Sequence, residues 1–595
     1  MATPTSAPPV DPEPRAPQGG GFLLEAAGPG SVFTPESLSE EQRLFYKTAQ
    51  DFVEGEVLPR AKAIESKAPG VLTDLLRQAG DLGLLMVTIP EAYGGLGLGL
   101  STHLLISEAM ARLGAWSVTF GAHTGIGTEP ILFFGNEAQK RRYLPDLATG
   151  RRIAAYALTE PGAGSDALAG RTRAELRADG TTYRLNGSKQ WITNGAIADV
   201  FVVFAKVDGE HFTAFIVEKG TPGFRVGPEE QKMGLRGSST TTLHFDDAEV
   251  PAENVLYEVG KGHKIAFGVL NVGRLKLGVG ATGAAKNLIA DAVRYAQERT
   301  TFGKPLLAYG MIREKLARMV VLTYASESMA YRTAGLADTA AGDHAPDRML
   351  AALGEYAVES SIVKVFGSEV LDEVVDEDLQ IHGGYGYTED YLVERAYRDA
   401  RINRIFEGTN EINRLLIPGM LLKRAMRGTL DLMGAVERLE ASFAEGQALP
   451  HFEGPLAAAR RAAEGTRRMT LFLLAQAVQR FGFDLKEEQE LLHAIADLCI
   501  AAYAIDSNVR RSLAHAGDHP ELREALVCFH AAIAWEEAFV RARRSLASFL
   551  DGEALTKAVG RLGQLFVWSP FDFKAAEERI VGAAIAAGGY PFPLV

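Results

Sequence analysis

The chain has 595 residues, 47% of them hydrophobic and 23% charged, enough for three or four packed units of globular type. A formal net charge of −13, with no long basic run, excludes a general nucleic-acid binder. Cys499 and Cys528, its two cysteines, stand in no metal-ligand spacing and read as buried thiols in a reducing compartment.

Residues 1–35 are rich in Pro, Gly, Ala and Ser, carry Arg15 as their only basic residue and lack an apolar signal core. A disordered tail is expected there. So little Arg is unlike a mitochondrial transit peptide and points to a bacterial cytoplasmic protein. Nor is there a run of about 18 apolar residues that would span a membrane.

Ser39-Glu-Glu-Gln42 is a capping-box pattern, followed by Leu44, Phe45, Ala49, Phe52 and Val53 at helical spacing. Helical patterns continue through 71–82, 101–113 and 136–148, so 36–152 is expected to be an N-terminal helical domain. Over 153–258 the period shortens to β-type runs such as Val200-Phe-Val-Val-Phe204 and Phe212-Thr-Ala-Phe-Ile-Val217, separated by Gly, Asn and Asp. A middle β domain is expected. Helical spacing returns near 260–298, 311–336, 347–375 and 409–425, giving a C-terminal helical bundle over 259–428. Residues 429–595 form an additional helical domain with blocks at 456–480, 486–510 and 520–548. Within it, Arg460-Arg461 and Arg467-Arg468 precede Leu471-Phe-Leu-Leu474, a basic amphipathic stretch that could lie on a membrane surface or be a solvated helix face. The fold class is thus α+β, mostly α.

Chemistry concentrates at Phe406-Glu407-Gly408-Thr409-Asn410-Glu411, with Arg401, Arg404 and Arg414 around it. A lone carboxylate among aliphatic and aromatic neighbours suits removal of a weakly acidic C–H proton, because burial raises its pKa toward working pH. Glu407 is the candidate base. Tyr156-Ala-Leu158-Thr159-Glu160-Pro-Gly-Ala-Gly-Ser165-Asp166 leaves a strand for a Gly-rich loop whose main-chain N–H groups could approach a flat polar ring or a phosphate. Trp191, in Trp191-Ile-Thr193-Asn194-Gly195, fits either a core or a stack on a cofactor ring.

Together with Arg299-Thr-Thr301-Phe-Gly303 and Gln380-Ile-His-Gly383-Gly384-Tyr-Gly-Tyr387, these segments resemble the acyl-CoA dehydrogenase family over about residues 40–425. The added C-terminal part resembles that of the very-long-chain type. The resemblance implies a homodimeric FAD enzyme oxidising long- or very-long-chain acyl-CoA to trans-2-enoyl-CoA in fatty acid β-oxidation, with electrons passing to electron-transferring flavoprotein. Glu407 would take the α-proton while the β-hydride passes to N5 of FAD. Tyr156, Leu158, Thr159, Ser165, Trp191 and Thr193 would line the flavin in one subunit, with Ser165 also near the CoA. Arg299, Thr301, Gln380, Gly383 and Gly384 would reach the adenosine half across a subunit boundary, and Gly408, Thr409 and Glu411 follow the base.

Relatives of the isovaleryl type carry their base just before an arginine equivalent to Arg274; here that position is Gly273, which leaves Glu407 without a rival. Asn271 and Arg274 then fall on the substrate side, with Arg274 supporting the active-site helix. Gly310 replaces a glutamine that often touches the cofactor, as in the very-long-chain members. Gly121, Ala122, Gly125 and Gly127 fit either the floor of a deep acyl tunnel or close helix packing. Two rival functions are an acyl-CoA oxidase, reoxidised by oxygen, and a flavin-binding assembly scaffold.

Overall fold

The computed structural model describes residues 17–25 and 32–594. Its first layer holds α1 (Glu40–Phe52), α2 (Val71–Asp81), α3 (Leu100–Ala109), α4 (Gly114–Ala122) and α5 (Glu137–Ala148). The capping box forms: Ser39 Oγ accepts from the Gln42 N–H, and the Gln42 side chain accepts from the Ser39 N–H. After α4 the chain passes through a π turn, His123–Gly127, in which Gly125 leaves the helical region at φ −101° and ψ −106°.

The middle unit is an eight-stranded sheet of β1 (Ala154–Ala157), β2 (Arg173–Leu176), β3 (Thr182–Thr193), β4 (Val200–Val207), β5 (His211–Glu218), β6 (Phe224–Glu229), β7 (Thr240–Pro251) and β8 (Val255–Leu256). The order is β6-β7-β3-β2-β4-β5-β8, with β1 parallel to β4. On β3, Lys189 pairs with Leu243 and Ile192 with Thr241, so three steps along one strand meet two along the other. That is a bulge, and it turns Trp191 outward at φ 58°.

The bundle consists of α6 (Gly262–Glu298), α7 (Gly310–Ala341), α8 (Ala357–His382), α9 (Leu392–Ala400) and α10 (Asn410–Met426), with a further helix at Pro346–Glu355. The expected block at 347–375 is therefore two helices, parted at Tyr356, whose φ −98° and ψ 29° lie outside the helical region. The added domain contains α11 (Ala457–Phe481), α12 (Gln489–Ala514) and α13 (Pro520–Phe549), as expected. Three more helices, Leu432–Ala444, Gly552–Gly563 and Phe573–Ala587, lie outside the expected blocks. Bundle and added domain share one continuous apolar core.

Three expectations need correction. The tail does not hold as disordered over its described part: Phe22 and Leu23 are buried in that shared core. Gly20 N–H donates to Glu359 Oε1 at 2.6 Å, and Arg467 Nη1 donates to Leu23 O at 2.8 Å. Composition registered the Pro and Gly content, but two apolar side chains suffice to dock a short segment. Residues 1–16 and 26–31 lie outside the described part. The basic stretch proposed for a membrane surface is engaged internally: Arg467 and Arg468 both bond Glu464, and Leu471–Leu474 are buried. Finally, Cys499 is buried but Cys528 only half so.

Candidate active site

Glu407 sits in a turn between a 3₁₀ segment, Arg401–Arg404, and α10. Both Glu407 and Gly408 are left-handed, at φ 58° and 78°, a conformation that a glutamate adopts only when its surroundings enforce it. Three side chains hold successive carbonyls of the turn. Arg274 Nε donates to Glu407 O at 3.3 Å, Lys364 Nζ to Gly408 O at 2.8 Å, and Asn413 Nδ2 to Thr409 O at 3.0 Å. Among the described residues nothing accepts a hydrogen bond from the Glu407 N–H, which stays free.

The carboxylate faces a cavity of about 220 Å³, and its Oε2 is buried without a hydrogen-bond partner. Burial pushes its pKa up from the ordinary carboxylate value, while the charges of Arg274, Lys364 and Lys276 oppose the rise. Against it stands Gly273: a Cβ there would lie 2.6 Å from Glu407 Oε2, so base and side chain exclude each other. The cavity follows one face of α6 through Gly273, Lys276, Gly280, Ala284 and Asn287 to Asp291. Eighteen residue steps along the helix correspond to roughly 27 Å.

Gly121, Ala122 and Gly125 line this cavity too, whereas Gly127 does not and packs against Ala154. The first three thus border the cavity, while the close packing at Gly127 is against strand β1 and not against another helix. Lys276 lodges in the notch left by the Gly125 kink, donating to Thr124 Oγ1 at 3.0 Å. Burial lowers its pKa to about 8, against the pull of Glu129 and Glu407.

Thr193 lines the cavity, and Tyr156 is buried with its Oη unpartnered. Burial, then the nearby Glu407 charge, raises the Tyr156 phenol well above its ordinary value. Trp191 is 60% exposed, an uncovered surface of unusual size for an indole. Leu158 and Thr159 are half-buried at the mouth of the Gly-rich loop, and Ser165 is exposed at its tip. An ion pair fixes that loop: Lys189 Nζ donates to Glu160 Oε1 at 2.6 Å and to Leu158 O at 3.2 Å. Asn271 Oδ1 accepts from Arg274 Nη1 at 3.0 Å, which orients the guanidinium toward the turn.

Arg299, Thr301, Gln380, Gly383 and Gly384 form a separate group that does not line the cavity. Arg299 lies 5.4 Å over the Tyr385 ring, and all but the half-buried Thr301 are exposed. Thr409 is occupied as the N-cap of α10, its Oγ1 accepting from the Ile412 N–H at 3.2 Å; Glu411 is exposed in the first turn. Roles for Lys189, Glu160, Lys276, Lys364 and Asn413 escaped the sequence reading. The visible signal for two of them was a charge inside an apolar run, Leu275-Lys276-Leu277 and Val363-Lys364-Val365.

A raised, unpaired carboxylate at the head of a long, largely apolar cavity has the equipment of a general base toward an aliphatic substrate. The acyl-CoA dehydrogenase N-terminal, middle and C-terminal domain models match residues 39–151, 155–248 and 260–422, and a further acyl-CoA dehydrogenase C-terminal domain model matches 465–562. A probable acyl-CoA dehydrogenase of Bacillus subtilis (strain 168) is 46% identical over 558 residues, 92% of this chain and 94% of that protein. The mitochondrial very long-chain specific acyl-CoA dehydrogenase of Bos taurus is 36% identical over 598 residues, 91% and 86% of the two chains. An acyl-CoA dehydrogenase from Bacillus anthracis, solved in complex with FAD, superposes with a TM-score of 0.95 at 44% identity, covering 96% of this chain and 99% of that one. The chain belongs to the acyl-CoA dehydrogenase family and is an oxidoreductase.

Proposed function

We propose that the protein oxidises long-chain acyl-CoA thioesters to trans-2-enoyl-CoA, with FAD as cofactor and Glu407 as base, in the bacterial cytoplasm. The observation that carries this reading is the Glu407 carboxylate, its Oε2 buried without a hydrogen-bond partner, facing a cavity that follows α6 for roughly 27 Å. Glu407 takes the α-proton, and its free N–H would stabilise the thioester oxygen as negative charge develops there. FAD supplies the two-electron acceptor for the β-hydride. The exposed indole of Trp191, the unpartnered Tyr156 hydroxyl and the Lys189-anchored loop offer a stacking face, a free hydroxyl and fixed main chain, the chemistry that suits a flat, polar-edged ring. They would hold the flavin and shield the base from water.

Exposure of Arg299, Gln380, Gly383 and Gly384, away from the cavity, supports a cofactor shared across a homodimer. Phe302 and Tyr387, 94% and 85% exposed beside them, are the sort of surface a second copy covers. Electron-transferring flavoprotein is the proposed acceptor. Similarity to the very-long-chain protein along 91% of the chain, added domain included, supports a long acyl group.

Steady-state assays with an artificial electron acceptor test the substrate: kcat/KM is expected to rise from butyryl- to palmitoyl-CoA, and a maximum at butyryl-CoA overturns the long-chain reading. Exposure of the substrate-reduced enzyme to air tests the reaction type, since rapid reoxidation with peroxide formation would make it an oxidase. A Gly273→Ala substitution is expected to displace the carboxylate and slow flavin reduction by about 10²-fold, measured by anaerobic stopped flow. An unchanged rate would mean that the carboxylate works from another position.

A further inference from the structure

Of the three donors that hold the Glu407 turn, two are buried cations: Arg274 and, one carbonyl further on, Lys364. It lies on α8, fully buried, with Nζ donating to Gly408 O at 2.8 Å and to Asn410 Oδ1 at 2.7 Å. Asn410 is in turn fixed by Ser368 Oγ at 3.3 Å and, through Nδ2, by Glu369 at 3.0 Å. Neutral donors would satisfy both acceptors. Instead a titratable amine is buried, and among the described residues no carboxylate comes within ion-pair distance of it. A charge kept out of water without a direct partner is costly, so it needs a reason beyond joining two helices.

The reason lies across the turn. Of the opposing charges that offset Lys364's burial, Glu407 is the largest, ahead of Glu369 and Glu411, while Arg274 repels it. Burial brings the lysine's pKa down to about 7. Toward Glu407 the facing groups are Arg274 and Lys276 on α6, Lys364 on α8, Tyr156 on β1 and the buried Glu129. Arg274 grips the carbonyl of Glu407 itself, and Lys364 the next one along. Left-handed backbone at a non-glycine residue persists only where the surroundings enforce it, and here both carbonyls are held. With them fixed, the carboxylate lies against Gly273 and the Glu407 N–H stays free.

We propose that Lys364 is a positioning residue for the proton transfer: through Gly408 O and Asn410 it locks the Glu407 turn, and its charge favours the ionised base. The inference rests on Glu407 being that base. Lys364 does not line the cavity and acts through the turn.

The test compares wild type, Lys364→Met, Lys364→Gln and Glu407→Gln as purified holoenzymes, following anaerobic flavin reduction by palmitoyl-CoA across pH. Lys364→Met is expected to lose about 10²-fold in limiting rate at saturating substrate, with KM little changed. Its pH midpoint should move upward, because removing a positive neighbour makes the carboxyl harder to ionise. Lys364→Gln keeps a donor without the charge and should show the same upward shift with a smaller loss of rate; it decides the matter where Lys364→Met does not fold. Wild-type rate and midpoint per bound flavin, with lowered thermal stability or without it, would make Lys364 a packing residue and overturn the proposal. If Glu407→Gln still bleaches its flavin, the base assignment itself has failed, an outcome separate from an inactive Glu407→Gln beside a normal Lys364→Met.

Discussion

The Glu407→Gln protein is expected to keep its yellow flavin and yet fail to bleach when mixed anaerobically with palmitoyl-CoA. The amide preserves the volume and the left-handed turn, so cofactor and substrate still bind, but it cannot accept the α-proton. Loss of a general base of this kind costs roughly 10²–10⁴-fold in rate. As the proposed base, Glu407 would act in its ionised form, and burial raises its folded pKa above the ordinary 4.5. Flavin reduction should therefore speed up as pH rises through that raised value and fade below it. Bleaching by the variant at near wild-type rate would rule out Glu407 as base.

Glu327→Leu is expected to be the most destabilising single change considered, about 3–5 kcal/mol, because it strands buried cations. Glu327, on α7, is fully buried and accepts from Arg511 Nη1 at 2.7 Å, from Tyr590 Oη at 2.6 Å and from Lys286 Nζ. Lys286 also binds Glu108, and Arg511 also binds Glu36 at 2.9 Å, as does Arg523. One network thus ties the N-terminal segment, the bundle, the added domain and the C-terminal strand of chain. The apparent Tm by circular dichroism should fall clearly, while Glu327→Gln, which keeps two acceptor-donor contacts, falls less. Equal Tm for wild type and Glu327→Leu would show that the network contributes specificity and not stability.

The same network has a predictable acid response. Burial pushes Glu36 and Glu327 up, but Arg511 in each case leads the charges that more than reverse this, so both carboxyls titrate below their ordinary value. A group depressed in the folded state stabilises above its unfolded pKa and loses that contribution as pH falls. The stability they provide should be present above about pH 4.5 and drain away below it.

Local pattern made much of the architecture legible. The capping box at Ser39, the alternation of the middle segment and the apolar spacing of the long bundle helices are short-range signals that their tertiary setting leaves intact. The short helices of the added domain and the docking of Phe22 and Leu23 were not legible. Their stability comes from a core assembled from distant parts of the chain, which no window contains.

By itself the sequence determined the family and the order of helical and β units, and it singled out Glu407 as the candidate base. Only the tertiary structure decided how that carboxylate is held. Gly273 leaves it room, Arg274, Lys364 and Asn413 lock its turn, and a bulge on β3 swings Trp191 outward. The division has a physical cause: residue type and spacing fix what chemistry is available, whereas pKa and orientation depend on burial and on charges brought together from far along the chain.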